Sequence, residues 1–168
     1  MKGRRCVRRF SGEGDIPDEY MQRILEAGVW APSAGGIQPW EFIVVRDRGR
    51  IYQIKLVSPG LFGDPLAIVV VCVNLERARK GGRGGEVMAI MDASMAAQNM
   101  MLAAYSLGIG SCPIASFSKA AVKELLEIPD HVEPILLLTL GYVDQWPNPP
   151  RRRSLEEVVH YEGYRKHR

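Results

Sequence analysis

Hydrophobic and polar positions change period several times along the chain. From residue 17 to 30, Met21, Ile24, Leu25 and Gly28 recur at helical spacing and predict an amphipathic helix. Pro17 suits its first turn, Asp18 and Glu19 suit the positive end of its dipole, and Pro32 stops it. The run FIVVR, 42–46, predicts a buried strand, and 47–56 a short helix. Proline and glycine make 57–65 a loop, and LAIVVVCV, 66–73, is a second buried strand. The stretch ERARKGGRGG, 76–85, reads as a flexible charged linker. The longest helix follows at about 87–107 and is rich in Ala and Met. A helix apolar nearly all round is buried inside the domain or in a dimer interface. Gly108 suits its C-terminal cap. A strand and turn at 109–115, a helix at 118–127 capped by Ser118, and a strong strand at 133–143 complete the body. From 144 the chain is Pro-rich, then basic, then LEEVVHYEGY. Helices mixed with buried strands mean an α+β or α/β single domain, 1–168, without internal repeats.

Composition alters this picture little. At 168 residues, 46% hydrophobic and 24% charged, the chain is ordinary globular material with enough apolar residues for a core. Net charge is +3, too mild to argue for nucleic acid. Three cysteines, Cys6, Cys72 and Cys112, lack metal spacing and fit free thiols in a reducing compartment. No apolar run reaches the roughly 20 residues that span a bilayer, and no h-region follows the basic N-terminus. The expectation is a cytoplasmic protein.

The distribution of charge is more telling. Lys2, Arg4, Arg5, Arg8 and Arg9 crowd the first nine residues, and Arg151, Arg152 and Arg153 form a second block. Guanidinium forks match phosphate oxygens in pairs, so the two blocks can clamp one phosphate; both can equally be surface charge, and spacing alone does not decide. The glycines of 80–86 lack a phosphate-loop pattern, and the GIGS of 108–111 follows a helix where a dinucleotide fingerprint follows a strand. His131, His160 and His167 are scattered, which predicts no metal site. Asp92, Gln98 and Asn99 are the polar residues of the long helix; they bond neighbouring backbone, or face a cofactor cavity or a dimer contact, with structure the default reading. With no acid–base pair, triad or metal cluster, an enzyme with this sequence takes its chemistry from a cofactor, and the arginines point to one carrying phosphate.

Five segments in order, from about residue 4 to 164, resemble the nitroreductase-like flavoprotein family. They are RRCVRRF, APSAGGIQPWEFIVV, DASMAAQNMMLAAYSLGIGSCPIASF, VKELLEIPDHVEPILLLTLGYV and RRRSLEEVVHYEGY. The resemblance implies an α+β fold with a central mixed, mainly antiparallel β-sheet flanked by helices. It also implies an intertwined homodimer with FMN at the subunit interface and the tail, about 144–168, reaching over the partner. Arg4, Arg5 and Arg8 match phosphate and ribityl contacts, and Cys6 stands where the family usually has Ser. Arg151, Arg152 and Arg153 match the second phosphate clamp. Pro32, Ser33, Ala34, Gly36 and Gln38 match the loop reaching the flavin from the partner, with Gly36 where Asn is common. Pro113, Ile114, Ala115 and Ser116 match the turn beside the flavin ring. The stretch 74–86 is short where larger members roof the pocket, which implies an open site.

The activity so implied is FMN-dependent reduction of nitroaromatics, quinones, flavins or related small acceptors by NADH or NADPH. It proceeds in ping-pong fashion, with the flavin carrying the chemistry and no catalytic side chain or metal. Reductive dehalogenation, enoate-type reduction and flavin breakdown are the enzymatic alternatives. A non-catalytic module binding nucleic acid or an acidic partner is the reading the grouped motifs oppose; neither nucleic acid nor membrane is an expected partner.

Overall fold

β2 (Ala67–Asn74) is the centre of the molecule, because seven of its eight residues are buried. A strand covered on both faces has no polar side to show, hence the unbroken run AIVVVCV. β1 (Trp40–Val45) and β4 (Val132–Gly141) flank it, and β3 (Gly110–Ile114) lies outside β4, giving the order β1-β2-β4-β3 with every neighbour antiparallel. The one parallel contact is a bridge from Cys6 to Ser111, with Val7 N–H donating to the Ser111 carbonyl at 2.9 Å. The expected mixed sheet is therefore four antiparallel strands plus the N-terminal segment laid along β3. The register slips between Val71 and Cys72, opposite Pro134, where a proline can sit without breaking the ladder. This computed structural model describes residues 1–11 and 14–164.

Each sheet face has its own core. On one, Val69, Val71, Leu138 and Leu140 meet α1 (Asp18–Val29) and α4 (Gly85–Ser106). On the other, Ile68, Val70, Cys72, Leu137 and Cys112 meet α2 (Arg48–Leu56) and α5 (Lys119–Leu125). α1 buries Met21, Ile24 and Gly28, the positions its period selects. At Gly28 a Cβ would stand 3.0 Å from Met100 Cγ, so glycine sets how closely α1 and α4 approach. Asp47 caps α2 by accepting from the Arg50 amide at 2.8 Å, and Ser118 caps α5 by accepting from Ala121. Gly108, at φ +75°, ends α4.

The stretch 76–85 departs from expectation. It is not a flexible linker: Asn74 caps a short helix, α3 (Leu75–Arg79), and a 3-10 turn at Gly82–Gly84 leads into α4. Composition misleads here because the ordering is tertiary. Ala78 is buried against the core, and a Cβ on Gly85 would stand 2.0 Å from the Ala78 carbonyl oxygen. α4 itself is apolar on two sides. Ala89, Ala93, Ala96, Ala97 and Met100 face the core, while Val87, Met88, Ile90, Met91 and Met95 are exposed. A last helix, α6 (Leu155–Val158), follows the second basic block and buries none of its residues.

Candidate functional site

The N-terminal segment is where the first basic block meets the sheet. Val7 is buried, and in extended backbone that sends Arg4, Cys6 and Arg8 to one side and Arg5 to the other. Arg4 Nη1 donates to Cys6 Sγ at 3.8 Å. The Cys112 thiol on β3 faces the same group. Burial first, and then the adjacent Cys6, push its pKa up to about 11, against the weaker opposing pull of Arg8 and Arg4. Arg5 behaves differently. Its guanidinium donates to the carbonyls of Lys2 at 2.7 Å, Arg4 at 3.0 Å and Pro147 at 3.2 Å, so it fastens the tail to the N-terminus.

The tail crosses this segment and forms a cleft on each side of it. One, of about 540 Å³, is lined by Cys6, Arg8, Arg9 and Phe10 against Asp144–Asn148. The other, of about 560 Å³, gathers Lys2, Arg4 and Arg5 with Arg152 of the second block and Gln98 and Leu102 of α4. Trp146 holds the crossing in place by packing edge-on against Tyr105 of α4, ring centres 5.1 Å apart. Arg151 is exposed, and Arg153 is turned to α6, where it donates to the Glu157 carbonyl and lies 3.9 Å from its carboxylate. Of the three arginines in the second block, Arg152 is the one brought to the N-terminal cluster.

The loop APSAGGIQPW is fixed from three directions. Ser33 Oγ accepts from the Gln38 amide at 3.1 Å. Arg77 of α3 donates to the carbonyls of Ile37 at 2.8 Å and Gln38 at 3.2 Å. Asp92 of α4, 4% exposed, accepts the Ala34 amide on both carboxylate oxygens at 3.2 and 3.1 Å. Between these points a 3-10 turn, Ala34–Gly36, carries Gly35 and Gly36 at φ +59° and +68°, which L side chains rarely adopt. Nothing lies within 4 Å of a Cβ built on Gly36. Trp40 is buried at the loop's end, in the core of α1 and α4. Pro32, Ala34 and Gly36 themselves line neither of the two clefts. Asp92 and Leu102 are ten residues apart on α4, roughly 15 Å along the axis and about 80° around it, so loop and basic cleft occupy different parts of the helix.

The expected turn at 113–116 begins inside the strand: Pro113 and Ile114 end β3, paired with Leu138 and Leu137, and Pro113, Ala115 and Ser116 are exposed while Ile114 is buried. It packs against 57–63: the Ser116 carbonyl accepts from the Gly60 amide at 3.4 Å, and Gly63 lies against the Arg8 carbonyl. Arg8 and the 113–116 turn thus belong to one neighbourhood. Arg77 and Asp92 hold the candidate loop, and the sequence alone assigns neither to it. Arg77 lay in an apparent linker, and Asp92 looked like any polar residue on a buried helix; its pairing with a glycine-rich loop was the signal available. Among the described residues no group of three His, Cys, Asp or Glu side chains is arranged to hold a metal ion. Nor, among the described residues, is any helix long and apolar enough to cross a membrane.

The Nitroreductase family model matches residues 1–59 and 55–142 of this chain. A provisionally named NADH dehydrogenase/NAD(P)H nitroreductase of Archaeoglobus fulgidus is 38% identical over 147 residues, covering 83% of this chain and 80% of that protein. One of the same name from Methanothermobacter thermautotrophicus is 32% identical over 153 residues, 88% of this chain and 77% of the relative. Among solved structures, the NADPH:FMN oxidoreductase of Vibrio harveyi complexed with NAD+ superposes with a TM-score of 0.88 at 26% identity, over 99% of this chain and 77% of that one.

Proposed function

The chain belongs to the nitroreductase family, and on that premise we propose that it is a homodimeric, FMN-dependent oxidoreductase that passes electrons from NADH or NADPH to small organic acceptors. Nitroaromatics, quinones and free flavins are the acceptor classes to try first. The carrying observation is the cleft that unites Arg4 and Arg5 with Arg152, two basic blocks from opposite ends of the chain. Clustered guanidinium groups suit an anion, and a phosphate ester supplies the oxygens they match. The rest of the donor set fits the same cofactor. Gly35 and Gly36 give a flat ring room to approach backbone, and the 113–116 turn exposes an edge beside Arg8.

FMN, when bound, supplies N5 as the atom that takes hydride from the nicotinamide and gives it to the acceptor. The chain's own part is position and charge. Arg4 and Arg152 would hold the phosphate, whereas Arg8, expected in the same clamp, lines the neighbouring cleft. Backbone of Pro32–Gly36 and of 113–116 confines the ring and keeps water from its faces. No side chain in this set is arranged as an acid–base pair, and none is needed for hydride transfer.

Subunit pairing is part of the same proposal. The glycine loop and the basic cleft lie on different parts of α4, which suits a loop that serves a ring held by the second chain. The exposed Met–Ile face of α4 is the surface that pairing would cover, and the tail with α6 would reach over the partner. The test is spectroscopic. Purified protein should take up FMN, show its absorption bands and lose them when NADH or NADPH is added without oxygen. Arg152→Ala should loosen FMN about tenfold or more. Absence of flavin uptake would refute the cofactor; flavin that neither nucleotide bleaches would refute the hydride source.

A further inference from the structure

We propose that Asp92 is the positioning residue of the flavin wall, acting through the Ala34 amide; this rests on the FMN reading above. The glycine loop is the least constrained part of that wall. Its 3-10 turn contains two glycines at positive φ, and Gln38, two residues beyond it, is at φ +50°. Glycine costs more conformational entropy to fix than any other residue, so such a turn holds its shape only if something outside it does the holding. Arg77 holds its C-terminal half, at Ile37 and Gln38. Asp92 holds its beginning.

The manner of holding is specific. Both carboxylate oxygens straddle one N–H, at 3.2 and 3.1 Å, in a place where the side chain is 4% exposed. Among the described residues no cation pairs with it, and the Ala34 amide is its hydrogen-bond donor. A buried carboxylate with one neutral donor is an expensive arrangement for a merely structural contact. The arrangement yields a symmetric bracket that an amide side chain cannot copy, because Asn would turn its NH2 toward the same N–H. The bracket also ties the loop to α4, whose other end carries Gln98 and Leu102 of the basic cleft. One rigid helix thereby fixes the ring wall to the body of its own subunit, from which it would face the ring held by the partner. Positioning of this kind governs how a bound ring sits, and a small displacement of it affects turnover more than folding.

The experiment compares wild type, Asp92→Ala and Asp92→Asn. Hydrogen exchange is followed by mass spectrometry on the segment 31–40 in flavin-free protein, and FMN affinity by quenching of free FMN fluorescence. Asp92→Ala should speed exchange at Ala34 and raise the FMN dissociation constant about tenfold. Asp92→Asn, which keeps one acceptor, should lose about threefold. In the reconstituted variants kcat should fall while the KM for NADH or NADPH stays within about twofold, and visible circular dichroism of the flavin should change. A cooperatively folded Asp92→Ala with unchanged exchange at 31–40 would overturn the bracket. Faster exchange with wild-type FMN affinity and dichroism would overturn the positioning role. If Asp92→Ala does not fold, Asp92→Asn decides: no change in exchange or affinity overturns the proposal. If wild type itself takes up no FMN, the cofactor reading fails, and the exchange arm still tests the bracket alone.

Discussion

Gly36 stands where the resemblance predicts a polar side chain, and its conformation explains why both glycine and Asn serve there. At φ +68° a β-branched residue is strained, whereas Asn enters the left-handed region with little penalty. The space around its Cβ is open. Gly36→Asn should leave the thermal midpoint nearly unchanged and tighten FMN, while Gly36→Val should cost about 1–2 kcal/mol; thermal melts and FMN titration of the two variants check this. The buried thiols give a second prediction. Burial, aided by the Glu41 and Glu133 charges, pushes the Cys72 thiol from 9.0 up to about 12. The folded chain thus keeps a proton that the unfolded chain gives up. This contribution is complete below pH 9 and declines as pH rises from 9 toward 12, by up to roughly 1.4 kcal/mol per unit. Urea unfolding of Cys72→Val between pH 8 and 10.5 should show a shallower alkaline decline than wild type.

At the level of elements, α4 is the helix on which the account depends. Its Ala-rich side packs α1 at the separation Gly28 permits, and its Met–Ile side is exposed. Ile90→Glu puts a charge in the middle of that exposed side. It should leave the monomer folded, convert the dimer to monomer in sedimentation velocity, and lower FMN retention with it. A dimer that survives Ile90→Glu and Met91→Glu together places the interface elsewhere. Most elements of this kind were legible in the sequence. The period of Met21, Ile24 and Gly28 gave α1, and the unbroken AIVVVCV gave a doubly covered strand, because both record burial directly. The stretch 75–84 was not legible. Its charge and glycine look solvated, and the contacts that order it, from Ala78 to Gly85 and from Arg77 to the glycine loop, join segments far apart in the chain. The same limit applied to the site: Arg4, Arg5 and Arg152 were visible as two clusters, but their meeting in one cleft, and the diversion of Arg5 and Arg153 to backbone carbonyls, are tertiary facts.

At the scale of the whole molecule, the proposed function gives each chain two halves of a flavin site that do not meet within it. The N-terminal segment, laid along β3 and crossed by the tail, makes the phosphate half; the loop held by Asp92 and Arg77 makes a wall for a ring bound elsewhere. On that proposal the site is complete only when two chains pair. Native mass spectrometry of protein reconstituted with FMN tests this most directly. The account predicts a dimer carrying two FMN, with both FMN lost whenever Ile90→Glu produces monomers. A monomer that retains one FMN, or a stable dimer that takes up none, would contradict it.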